Sequence, residues 1–149
     1  MDNKKPNLAI AATFLWIGFV CAISFMESWI KFLAPGITVP LGLGIGRLVF
    51  SALNKVEWLL AIILLSNILF SRNQLSKRQL LTLIIPLVII LIQTFWLLPL
   101  MDARAEVVLR EKTSQPSYLH IYFAGAELIK VICLTFFGSF LLRESTGTD

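Results

Sequence analysis

Residues 118–142, YLHIYFAGAELIKVICLTFFGSFLL, constrain this chain most. The stretch is apolar enough to sit in lipid and long enough to cross it. Yet His120, Glu127 and Lys130 lie well inside its ends. An ionisable residue within a membrane helix is costly, so it faces protein or water and finds a partner. Any fold must therefore supply neighbours for these three side chains.

Three further apolar runs supply them. The pattern predicts helices over 8–33, 45–70, 80–101 and 118–142, forming a single domain. The chain has 149 residues, 57% of them hydrophobic and only 15% charged. A soluble domain is nearer a quarter charged, and soluble helices would need polar faces. The fold class expected is all-α, a four-helix transmembrane bundle. The net charge of +4 is no nucleic-acid footprint, because the basic residues sit at helix ends and no basic aromatic surface accompanies them. The expected partner is the lipid bilayer, with a second copy or another membrane subunit as further candidates, and no nucleic acid.

The first run follows Lys4 and Lys5 and has the look of a signal peptide. We favour an uncleaved helix, because the apolar run continues into SFMESWIKFLAP without an extended polar break. Ser24, Glu27 and Lys31 are spaced to share one helix face, with Glu27 and Lys31 forming an interfacial pair. Pro35-Gly36 and Pro40 are expected to end the helix and open a glycine-rich loop up to Gly46. That loop is not a phosphate loop, since no Lys-Ser/Thr follows and the glycines lack dinucleotide spacing. Close helix packing or a bend is its expected role.

The second run is two-faced. Trp58 to Phe70 is nearly all apolar, while Arg47, Ser51 and Asn54 share a face, with Glu57 one step round from it. This stripe should point inward or into water, or residues 44–55 should lie along the interface. The basic loop at 71–79 carries Arg72, Lys77 and Arg78. The third run is the cleanest; Pro86 interrupts it, Pro99 stands near its end, and Gln93 and Thr94 are its polar points. Asp102–Glu106 and Glu106–Arg110 spacings extend it by a few turns before Pro116 breaks the loop.

Lys and Arg counted by side differ little. However, Glu27, Asp102, Glu106 and Glu111 all fall on one side, and the compact 71–79 loop has no acid. Both termini are therefore expected in the cytoplasm. At 1.5 Å per residue, Glu57 lies about 20 Å from Phe70, and Glu127 and Lys130 lie roughly 22 and 18 Å from Leu142. These three share a depth if the second and fourth helices are neighbours. The sharper expectation is an outward-opening polar cleft lined by Glu27, Arg47, Asn54, Glu57, Asp102, His120, Glu127 and Lys130. The simpler one, preferred for Glu57, Glu127 and Lys130, is a structural ion-pair network. For His120 an interfacial position without further role is preferred.

Cys21 and Cys133 stand apart in apolar runs, so neither a thiol-redox pair nor a zinc site is expected. No metal, cofactor or catalytic residue is assigned. The segments FMESWIKFLAP, GLGIGRLVFSALNKVE, LLPLMDARAEVVL and SYLHIYFAGAELIKV, in this order, resemble small bacterial four-helix membrane proteins of uncharacterised function. These are similar in turn to the transmembrane protein 205-like group. The resemblance spans residues 10–142 and implies an integral four-helix protein with no established enzyme activity.

Three functions compete at this stage. The first is a non-enzymatic protein whose cleft binds or passes a small polar solute or a proton, with Gly18, Gly125 and Gly138 allowing close helix contacts in an oligomer. The second is a structural or assembly subunit of a membrane complex. The third is a membrane enzyme acting on a lipid or quinone, with Glu127 or Glu57 as base and His120 assisting. Against the enzyme stands the want of a nucleophile elbow, metal-ligand pair or redox cysteine pair.

Overall fold

The computed structural model describes residues 6–71, 75–111 and 118–146. Lys4, Lys5 and Arg72, noted above for their charge, and the break at Pro116 lie outside the described residues. The described chain is helical, with four helices long and apolar enough to cross a membrane, at Leu8–Leu33, Val39–Phe70, Lys77–Val108 and Leu119–Thr146. In lipid only such internally bonded backbone is tolerated, so the composition and the fold follow from the same constraint.

The first helix is not uniform. An α-helical part, Pro6–Val20, runs into a π-helical turn, Cys21–Glu27. A short α segment, Ser28–Ile30, and a 3-10 turn, Lys31–Leu33, complete it. Ala34 then leaves the helical region, at φ −71° and ψ 133°, as the ring of Pro35 demands of the residue before it. Gly36 takes φ 84°, where a side chain would be strained.

The second helix begins at Val39, earlier than the glycine pattern suggests. Pro40 does not end a loop there. It stands in the first helical turn, where its missing N–H has no bond to lose. Thr38 faces the open amides, with Leu41 N–H 3.5 Å from its Oγ1. The glycines then serve close approach. Gly42 lies against the Phe32 ring, and a Cβ on Gly46 would stand 2.9 Å from Lys31 Nζ.

The third helix opens on a capping box. Gln79 N–H donates to Ser76 Oγ at 3.3 Å, and Ser76 N–H donates to Gln79 Oε1 at 2.7 Å. It runs from Lys77 to Ile92, through a π-helical turn at Gln93–Leu97, and on to Glu111. Pro99 does not terminate it, because the wider π turn just before makes room for the ring. The fourth helix, Leu119–Thr146, continues past Leu142 into the polar tail.

The first helix packs against the second and the fourth, the fourth against the third, and the second against the far half of the third. Thr13 and Phe14 meet Gly138, a Cβ there standing 3.1 Å from Phe14. Gly138 thus serves packing within the chain, whereas Gly18 and Gly125 are exposed with open space around them. Gln79 Nε2 donates to Glu144 Oε1 at 2.6 Å, so both described ends of the chain gather at the end where the third helix begins. We call this the termini end, and the opposite one the far end.

The main core holds Trp16, Val20, Ala61, Leu64, Ile90, Leu134 and Phe137. A second cluster toward the far end holds Phe50, Leu53, Leu97 and Phe123. The outside is apolar too: Leu69, Phe70 and Phe95 stand bare, Phe95 at 76%. Meanwhile Asn54, Glu57, Gln79, Gln93, Glu127 and Lys130 are buried. Apolar outside with charge inside is the arrangement of a bundle solvated by lipid.

Candidate functional site

The fourth helix turns one face inward: Phe123, Glu127, Lys130, Leu134, Phe137 and Leu141 all point to the core. Their spacing alternates four and three, so one stripe carries both charge and packing. The second helix presents Phe50, Asn54, Glu57, Ala61 and Leu64 in the same way. The first contributes Trp16, and the third contributes Gln93 from its π turn.

These stripes meet at one ammonium group. Lys130 Nζ donates to Glu57 Oε1 at 2.5 Å, to Gln93 Oε1 at 2.6 Å and to Glu127 Oε1 at 3.2 Å. That uses all three donors of the lysine. Trp16 Nε1 donates to Glu57 Oε1 at 2.7 Å, and Gln93 Nε2 donates to Glu127 Oε1 at 2.9 Å. Side chains from all four helices are thereby tied together. Glu57 is 1% exposed, and Glu127 and Lys130 are fully buried. The second carboxylate oxygen, Glu127 Oε2, is 3.1 Å from Lys130 Nζ but makes no hydrogen bond.

A neutral network adjoins this centre on the far-end side. Thr94 Oγ1 accepts from Asn54 Nδ2 at 3.0 Å and from Trp58 Nε1 at 2.9 Å. Its own hydrogen has the Ile90 carbonyl at 2.7 Å. The hydroxyl is then saturated, and the second and third helices are joined here as well.

The far end carries the rest. Arg47 Nε stands 3.3 Å from Asp102 Oδ1, both side chains about half exposed. Lys31 donates to Glu27 at 3.2 Å and lies 5.5 Å from the centre of the Phe50 ring. His120 is exposed, its ring 6.0 Å from that of Phe50.

The eight expected residues therefore divide into two groups. Glu57, Glu127 and Lys130 form the closed centre, with Asn54 beside it. Glu27, Arg47, Asp102 and His120 form a rim. Phe50, Leu53, Leu97 and Phe123 lie between the two along their helices. The deep charges satisfy each other, and this apolar cluster stands between them and the rim. His120 stands at the rim and Glu127 in the centre, with buried Phe123 between them along the fourth helix.

Sequence reasoning noted Gln93 and Thr94 but assigned them no place in the site, and it passed over Trp16. The available signal for Trp16 was its depth: an indole N–H inside a span, away from the interfaces, requires an acceptor. Among the described residues, no group of three His, Cys, Asp or Glu is placed to hold a metal ion. Cys21 is exposed and Cys133 half-buried. Comparison of the chain with protein-family models, curated proteins and solved structures gave no match.

Proposed function

We propose that this chain is a non-enzymatic integral membrane protein that binds or passes a proton through the buried Glu57–Lys130–Glu127 centre. One observation carries the proposal: two carboxylates surround a single ammonium in a place closed to solvent. Fully ionised, the group would hold one uncompensated negative charge in a low-dielectric interior, which is strongly unfavourable. One proton balances it. Glu57 Oε1 accepts from both Lys130 and Trp16. Glu127 has the longer contact to Lys130 and an oxygen with no hydrogen bond, so the proton belongs on Glu127.

The test is the infrared carboxylic-acid band of the detergent-solubilised protein across a pH series. A protonated carboxyl band is expected, and Glu127→Gln, which mimics the neutral acid, should remove it while leaving folded yield nearly unchanged. An absent band in the unmodified protein, or a Glu127→Gln variant that does not accumulate, would overturn the reading. The second outcome would favour the alternative of a structural or assembly subunit, which the full use of Lys130's donors across the bundle supports.

The proposal includes kinship with the small bacterial four-helix proteins that the sequence resembles, and assembly with a second copy or another subunit. Exposed Gly18 and Gly125 leave flat faces for such a neighbour. It also places the termini end in the cytoplasm of a bacterial cell. Lys77, Arg78 and Arg143 are exposed at that end, while Glu27 and Asp102 stand at the other. In a background lacking Cys21 and Cys133, an impermeant thiol reagent should label Tyr118→Cys on intact cells and Ser145→Cys only after lysis. The reverse pattern would invert the topology.

A further inference from the structure

Two buried side-chain oxygens make no hydrogen bond in the described chain, Ser24 Oγ and Glu127 Oε2. A hydroxyl inside a helix ordinarily bonds a carbonyl one turn back. Thr13 does so to Ala9, Thr135 to Val131 and Ser139 to Thr135, each at 2.8 Å. Ser24 is buried at 4% and does not. It lies in the π-helical turn of the first helix, where the backbone ladder is widened.

Ser24 and Glu127 share a level. The first and fourth helices run antiparallel, with Thr13 beside Gly138. Moving about 16 Å toward the far end along each, at 1.5 Å per residue, leads from Thr13 to Ser24 and from Gly138 to Glu127. The π turn that holds Ser24 packs against both the fourth and the second helix. One unsatisfied oxygen therefore comes from each of two packed helices, at about the level of the charged centre.

We propose that Ser24 Oγ and Glu127 Oε2 share one hydrogen-bonding guest, a water molecule or hydronium, and that the buried centre exchanges its proton toward the far end through it. This rests on the proton-binding reading above. A hydroxyl and a carboxyl oxygen are suitable partners for a water, which needs a few polar contacts to be held in an interior. In the exchange step, the Glu127 O–H bond breaks as an O–H bond forms on the guest. Glu127 is left as a carboxylate paired to Lys130, and the hydronium is held by the Ser24 hydroxyl. The hydronium then gives a proton to solvent water at the far end, where an O–H bond forms, and itself returns to water.

The test follows the carboxylic-acid infrared band after dilution into heavy water, for the unmodified protein, Ser24→Ala and Ser24→Thr. Ser24→Ala should keep the band but slow its deuterium shift roughly tenfold or more, the scale of one lost hydrogen bond. Ser24→Thr, which keeps the hydroxyl, should stay within about twofold of the unmodified rate on the same argument. Ser24→Cys, close in volume and weak in hydrogen bonding, carries the same expectation as alanine should that variant fail to accumulate. A band that shifts at the unmodified rate in the alanine or cysteine variant overturns the exchange site and leaves the proton-binding centre standing. A missing band in the unmodified protein overturns both.

Discussion

Lys130→Met is expected to remove nearly all folded protein. Methionine fills a similar volume, so packing is not the reason. The substitution withdraws three hydrogen bonds and leaves Glu57 and Glu127 facing each other without a cation. Breaking a buried pair from one side costs about 3–5 kcal/mol, a large share of the stability of a chain this size. Adding Glu57→Gln and Glu127→Gln should recover most of the loss, since replacing the whole charged set by neutral groups is far less costly than orphaning part of it. The measurement is the monodisperse fraction in detergent for the single and triple variants. Accumulation of Lys130→Met alone at the unmodified level would mean that the two carboxylates do not depend on this lysine.

The exchange of Glu57 and Lys130 is the second large effect. Glu57→Lys alone sets two ammonium groups together with one carboxylate, and Lys130→Glu alone gathers three carboxylates with no ammonium. Each single variant should fail to accumulate. The double variant restores two carboxylates and one ammonium, and its yield should rise well above either single. Recovery should stay incomplete for an identifiable reason. The Trp16 indole donates to Glu57 Oε1 and would meet an ammonium with no lone pair to offer. An unsatisfied buried donor costs about 1–3 kcal/mol, so adding Trp16→Phe to the double variant should bring the remainder back. A double variant no better than either single would show that the second and fourth helices do not depend on this contact.

The apolar runs revealed the helices because a membrane span needs length and composition, and both are visible in a linear sequence. Counting the rise along each helix placed Glu57, Glu127 and Lys130 at similar depth, and the structure joins them. What was illegible concerns which way a side chain turns. Both π turns alter that. At Gln93–Leu97, consecutive residues Gln93 and Thr94 both find inward partners, although neighbours in a regular helix diverge by about 100°. Nothing in QTFWL announces such a turn. The start of the second helix was obscured for another reason: proline reads as a breaker unless it falls in a first turn, and Pro40 does. A count along the axis gives depth and says nothing of the aromatic cluster that stands between the rim and the centre. Phe50 and Phe123 read as ordinary apolar residues until their rings are found 4.8 Å apart.

Each π turn also carries one residue beyond what a regular helix needs at that height. It is a residue that the helix accommodates within its own length instead of expelling into a loop. The extra residue unlinks the facing of the two halves of a rod. The termini halves of the first and third helices can keep their packing on the fourth helix while the far halves answer to the rim. Gln93, which holds both Lys130 and Glu127, stands within one of these turns, so a residue gained or lost there reaches the charged centre directly.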